Sequence, residues 1–119
     1  MEIKIEQGNK TAILFGGSGL VGGFCLDLLL ESPIYGKVLS FGRRKLNKQH
    51  EKLEQIEIDF EKLSEYQKLI QGNDLFCALG TTIKKAGSQE AFRKVDLEYP
   101  AEIARIAIKN GVSQFILVS

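Results

Sequence analysis

The sequence predicts an α/β fold: a doubly wound parallel sheet of five strands in the order 3-2-1-4-5. Three observations carry this. Short apolar runs alternate with longer segments of helical period, and right-handed crossovers turn that alternation into a parallel sheet with helices on both faces. The stretch "LFGGSGLVGGF", residues 14–24, sets five glycines between two apolar runs. Finally, 119 residues with 44% apolar content suit one domain with one core.

Residues Thr11 to Phe15 form a short apolar run stopped by Gly16, as a buried parallel strand requires. "LVGGFCLDLLLE" repeats apolar residues at 20, 21, 24, 25, 28 and 29, with others on the remaining faces, which predicts a mostly buried helix. Pro33 and Gly36 punctuate, and "KVLSFG" is the second strand, ended by Gly42. "EQIEID" alternates and is the third. Leu63, Tyr66 and Leu69 or Ile70 mark one face of a helix that Gly72 can close. "DLFCALG" is the fourth strand. Ser88 can cap a long helix with the stripe Phe92, Val95, Tyr99, Ile103 and Ile106, ending near Gly111. "SQFILVS" is the fifth strand, and its unpaired outer edge predicts self-association.

Sixteen Lys and Arg against fifteen Asp and Glu leave a net charge of +1, with no basic or acidic block. Nucleic acid is therefore not an expected partner. No apolar run approaches the ~20 residues that span a bilayer, so no membrane partner and a cytoplasmic location are expected. Cys25 and Cys77 read as buried thiols of a reducing compartment. No metal-ligand cluster stands out.

Gly16, Gly19 and Gly22 give G-x-x-G-x-x-G, and Gly17, Gly19 and Gly22 also give G-x-G-x-x-G, at the end of the first strand and the start of its helix. A dinucleotide-binding Rossmann fold needs glycines there for the sharp turn, for approach to pyrophosphate and for close helix packing. A glycine-rich turn that merely packs closely is the alternative. Gly16, Ser18, Gly19, Leu20 and Val21 are the candidate phosphate-binding residues.

About 20 residues further on, an NAD-preferring site places a carboxylate against the ribose hydroxyls. Here stand Arg43 and Arg44. Their charge would repel nothing on a 2′-phosphate and would attract it, so NADP is expected as cofactor and NAD less so; otherwise both arginines simply face water. Asp59 and Phe60 are candidates for the adenine amino group and ring, Asp59 being equally suited to cap the following helix. Leu79, Gly80 and Thr81 close the fourth strand and are candidates for the nicotinamide-side ribose, unless they form a plain turn.

"GGSGLVG", "GRR", "DF" and "CALGTT" resemble an atypical short-chain dehydrogenase/reductase. "GRRKL", "DFEKL", "LGTTIKKAGSQEAFRKVDLEYP" and "FILVS" resemble, more narrowly, the Tat-interacting-protein family of NADP-binding oxidoreductase-like proteins. That resemblance implies a Rossmann fold, bound NADP and a Ser, Tyr, Lys catalytic set, with substrates poorly defined and some members acting as regulators. Two departures stand out: Asp96 where extended relatives carry Asn, and no Tyr-x-x-x-Lys anywhere, since Leu39, Ile70 and Ile103 follow the three tyrosines four places on. Ser119 stands at the threshold of the serine position, and no catalytic residue is assigned. Pro100 has no N–H to offer the Asp96 carbonyl, and in the resembled family a main-chain carbonyl near this position holds a relay water; a simple kink or a break between two helices is the other reading of this proline.

Residues 1–119 are thus expected to be one NAD(P)-binding domain, the N-terminal part of a longer short-chain-dehydrogenase-like protein truncated after the fifth strand. The expected function is the NADP-binding portion of an oxidoreductase acting on a carbonyl or alcohol. The alternative is a noncatalytic NADP-sensing regulatory or protein-interaction module.

Overall fold

The computed structural model describes residues 8–80 and 87–118. β1 (Lys10–Phe15) is central because it is apolar on both faces: Ala12, Ile13, Leu14 and Phe15 are all fully buried. α1 (Leu20–Glu31), β2 (Tyr35–Gly42), β3 (Leu53–Glu57), a 3-10 segment (Phe60–Leu69) and β4 (Asp74–Cys77) follow. α2 (Gln89–Arg93), a π turn (Lys94–Glu98) and α3 (Tyr99–Lys109) then form one helical run before β5 (Gln114–Leu117). All strand pairs are parallel, in the predicted order β3-β2-β1-β4-β5.

Alternation along the strands divides the core in two. Ala12, Leu14 and Val38 face α1 and meet Leu26, Leu29 and Leu30. Ile13, Phe15, Phe41, Leu75 and Cys77 face the other way, onto Leu63 and Ile70 and onto Ile103 and Ile106 of α3. There Phe15 and Phe41 stack with ring centroids 4.8 Å apart. The two sides of the sheet thus fill with different helices, which leaves the strand ends free to carry a site.

Several expectations are corrected. α1 is not mostly buried: Leu20, Phe24 and Leu28 are 79%, 64% and 68% exposed, because only one of its apolar faces has the sheet against it. The helix expected before Gly72 is instead two short 3-10 turns meeting at Lys62, whose φ of −125° is not helical. Cys77 is buried but Cys25 only half so, and both are free. Pro100 neither breaks nor ends its helix. It lies in the first turn of α3, where a missing N–H is tolerated, after a π turn in which the Tyr99 N–H donates to the Lys94 carbonyl.

Candidate functional site

The ends of β1 and β4 define the point where strand order reverses. Gly16 turns the chain out of β1 with φ +94°, and a side chain there would meet the Ala78 main chain at 2.7 Å. On the next turn, a Cβ on Gly22 would overlap the Gly16 carbonyl oxygen. The pattern of glycines is therefore a packing requirement, and its effect is to bring the N-terminus of α1 against the end of β1.

That N-terminus is open. Gly19 precedes α1 without any side-chain cap, and no acidic residue stands in the first turn. The first N–H groups of a helix have no partner within it, and the helix dipole adds positive potential at this end. Ser18, Gly19, Leu20 and Val21 are all exposed around it. This cradle fits a pyrophosphate.

Arg43 and Arg44 follow β2, both exposed, and neither makes an ion pair among the described residues. Asp59 acts as a cap: its carboxylate accepts from the Glu61 N–H at 3.0 Å. Phe60 is buried, its ring edge-on to Phe15 with centroids 6.3 Å apart. The ring expected to meet adenine is thus occupied by core packing, and the Asp59 main chain is engaged as well, its N–H donating to the Tyr66 hydroxyl at 3.3 Å and its carbonyl accepting from the Lys62 N–H at 2.9 Å. Leu79 packs against the core, Gly80 is exposed with open space beside it, and Thr81 lies outside the described residues, as does Ser119.

The apolar stripe turns Tyr99 toward the core, but its hydroxyl lies at the surface, where it donates to Glu61 Oε1 at 2.6 Å. Lys94 Nζ lies 3.4 Å from the same oxygen. Burial first, then the hydrogen bond and charge of Glu61, push the Tyr99 phenol up to about 12, against the pull of Arg43. Glu61 is in turn held below the usual carboxylate range by Tyr99 and then Lys94. The Tyr99 ring also lies against Phe60, with centroids 5.3 Å apart, which brings the residues after β3 to the start of α3.

A cleft of about 370 Å³ runs along the outer side of the glycine loop, between Ser18, Leu20 and Phe24 on one wall and Leu46, Asn47 and Lys48 on the other. The second wall was not anticipated from sequence; its only signal was a run of basic and polar residues after "GRR". Among the described residues there is no His, Cys, Asp and Glu cluster able to hold a metal, and no helix long and apolar enough to cross a membrane.

No protein-family profile matches the chain. It is 39% identical over 115 residues to Protein HTATIP2 of Rattus norvegicus, across 93% of this chain and 47% of that protein. It is 36% identical over 110 residues to "Protein FMP52, mitochondrial" of Meyerozyma guilliermondii, across 91% of this chain and 47% of that protein. The crystal structure of a mutant uronate dehydrogenase from Agrobacterium tumefaciens, complexed with NAD, matches with TM-score 0.76 at 14% identity. That match covers 92% of this chain and 40% of the other, and is a likeness of fold. The chain spans about half the length of the curated relatives it matches. Fungal relatives named as mitochondrial overturn the cytoplasmic expectation, which rested only on the lack of a long apolar run. In sequence the chain is similar to the HTATIP2 and FMP52 proteins over about half their length, and in fold it is a Rossmann-type parallel sheet, which agrees with the resemblance to an atypical short-chain dehydrogenase/reductase.

Proposed function

We propose that this chain is the dinucleotide-binding portion of an oxidoreductase-like protein, with NADP preferred to NAD. The observation that carries the reading is the uncapped N-terminus of α1, seated on Gly16 by Gly22 at the point where strand order reverses. Gly16, Ser18, Gly19, Leu20 and Val21 hold the pyrophosphate through main-chain N–H groups. Arg43 and Arg44 hold the 2′-phosphate. Asp59 and Phe60 are assigned to adenine, and Leu79, Gly80 and Thr81 to the second ribose.

When bound, the cofactor supplies a hydride donor or acceptor for a carbonyl or alcohol substrate. The chain's own part is to bind and orient: fixed dipoles at α1 need no rearrangement to meet the pyrophosphate, and two cations after β2 attract the 2′-phosphate. Residues 1–119 form one such domain of a longer protein. Self-association is assigned to the outer edge of β5, where Leu117 is 61% exposed.

A second reading, a noncatalytic NADP-sensing module, is favoured by one observation. The hydroxyl of Tyr99, at the start of α3, is engaged with Glu61 instead of pointing into an acid–base arrangement. Calorimetric titration with NADP and NAD tests the cofactor assignment. Arg43→Glu combined with Arg44→Glu should weaken NADP at least about tenfold more than NAD, since a charge-assisted contact becomes a repulsion. Equal losses would remove the role given to the arginines.

A further inference from the structure

Residues 43–52 join β2 to β3 without a helix, so the placement of Arg43 and Arg44 depends on what fastens this loop. Gln55 of β3 does so. Its side-chain carbonyl accepts from the Leu46 N–H at 2.6 Å, and its amide nitrogen donates to the carbonyls of Leu46 at 3.1 Å and Lys48 at 3.0 Å. One half-buried amide thereby satisfies three main-chain groups, using both donors and its acceptor.

The other side of the loop is fastened too. The Leu46 side chain lies against the glycine loop, 3.2 Å from where a Cβ on Gly17 would stand. Lys48 pairs with Asp27 of α1. β3 and α1 thus grip residues 46–48 from two directions, immediately after the two arginines.

We propose that Gln55 is a positioning residue that sets the preference for a 2′-phosphorylated dinucleotide, by holding the 43–48 loop against the glycine loop. The proposal rests on the dinucleotide reading above. Guanidinium recognition of phosphate depends on the orientation of a planar fork, and neither arginine has a carboxylate among the described residues to fix it. Their orientation comes from the main chain that carries them. If the amide clamp is lost, the loop must be ordered at the moment the 2′-phosphate binds, and NADP affinity falls. Pyrophosphate binding, which uses α1 and the Gly16 turn, is spared.

The test is calorimetric titration of the full chain with NADP and with NAD, for the wild type, Gln55→Ala and Gln55→Glu, each also in an Arg43→Ala/Arg44→Ala background. Gln55→Glu keeps the size and the acceptor but loses both donations, and carries the test if Gln55→Ala fails to fold. Either variant should weaken NADP about tenfold and NAD less than about twofold. In the arginine-free background the same substitution should leave NADP unchanged, as coupled residues require. Equal weakening of the two cofactors, no change in either, or a tenfold loss that persists without the arginines would overturn the proposal and leave the dinucleotide reading standing. A wild-type chain that binds neither cofactor would overturn both.

Discussion

Gly22 of α1 lies so close to Gly16 that a Cβ at position 22 would overlap the Gly16 carbonyl oxygen. The contact joins the helix to the turn that presents its N-terminus. Gly22→Ala must push α1 off β1, at a cost of roughly 1–3 kcal/mol in stability. Phosphate affinity should fall as well, because the N–H groups move with the helix. Thermal unfolding and NADP titration of the variant measure the two effects; an alanine accepted with neither change would show that the close approach is not needed.

The same two glycines show what the sequence made legible. Spacing alone located Gly16 and Gly22, since a strand ending in a sharp turn followed by a close-packed helix tolerates little else there. The apolar run of β1 marks the centre of the sheet, and Ser88 is the cap that its position implies, accepting from the Ala91 N–H at 3.1 Å. Other features depend on contacts that periodicity does not encode. α1 is apolar on several faces, and composition does not say which of them meets the sheet. Gln55 reads as an ordinary polar position of an alternating strand, because its partners are main-chain atoms of an irregular loop. The π turn adds a residue to the helical repeat just before Tyr99, which shifts that tyrosine from the core stripe expected for it to the core's margin.

Tyr35 and Asp74 form a clasp at the opposite end of the sheet. The Tyr35 hydroxyl donates to Asp74 Oδ2 at 2.7 Å, with Lys10 Nζ 3.6 Å from the same oxygen. Burial first, then the hydrogen bond to Asp74 and its charge, push the Tyr35 phenol up to about 12. A phenol whose pKa is higher folded than unfolded favours the folded state while protonated. That stability is fully present below pH ~10, the unfolded value, and is lost as pH rises through about 12. Tyr35→Phe should cost about 1–3 kcal/mol near neutrality, by leaving a buried carboxylate oxygen without its donor. It should also flatten the alkaline fall in stability, followed by denaturant unfolding from pH 8 to about 12. A variant as steep as the wild type would place the alkaline sensitivity elsewhere.

Tyr99 is a poor acid at neutral pH. Its phenol is pushed up to about 12 and its proton is committed to Glu61, whereas a general acid works best with a pKa near the working pH. The 119-residue chain should therefore bind NADPH without consuming it. The measurement is NADPH absorbance with a panel of aldehydes, ketones and quinones, against Gly19→Glu. That control should fold, because the nearest atom to a Cβ at position 19 is the Gly16 carbonyl oxygen at 3.8 Å, while its carboxylate would repel phosphate. Turnover above the control that disappears in Tyr99→Phe would make Tyr99 the acid after all.

A dinucleotide seated on the open end of α1 would be seen by following backbone amide resonances of the ¹⁵N-labelled chain while NADP is added. The largest shifts should fall on Gly17 to Val21, with a second group at Arg43 and Arg44. The groove between the 3-10 segment and α3, lined by Ser64, Gln67 and Arg105, should stay unchanged. Saturating NADP that leaves the Gly17 to Val21 amides in place, or that shifts only the groove, would mean that the end of α1 holds no dinucleotide.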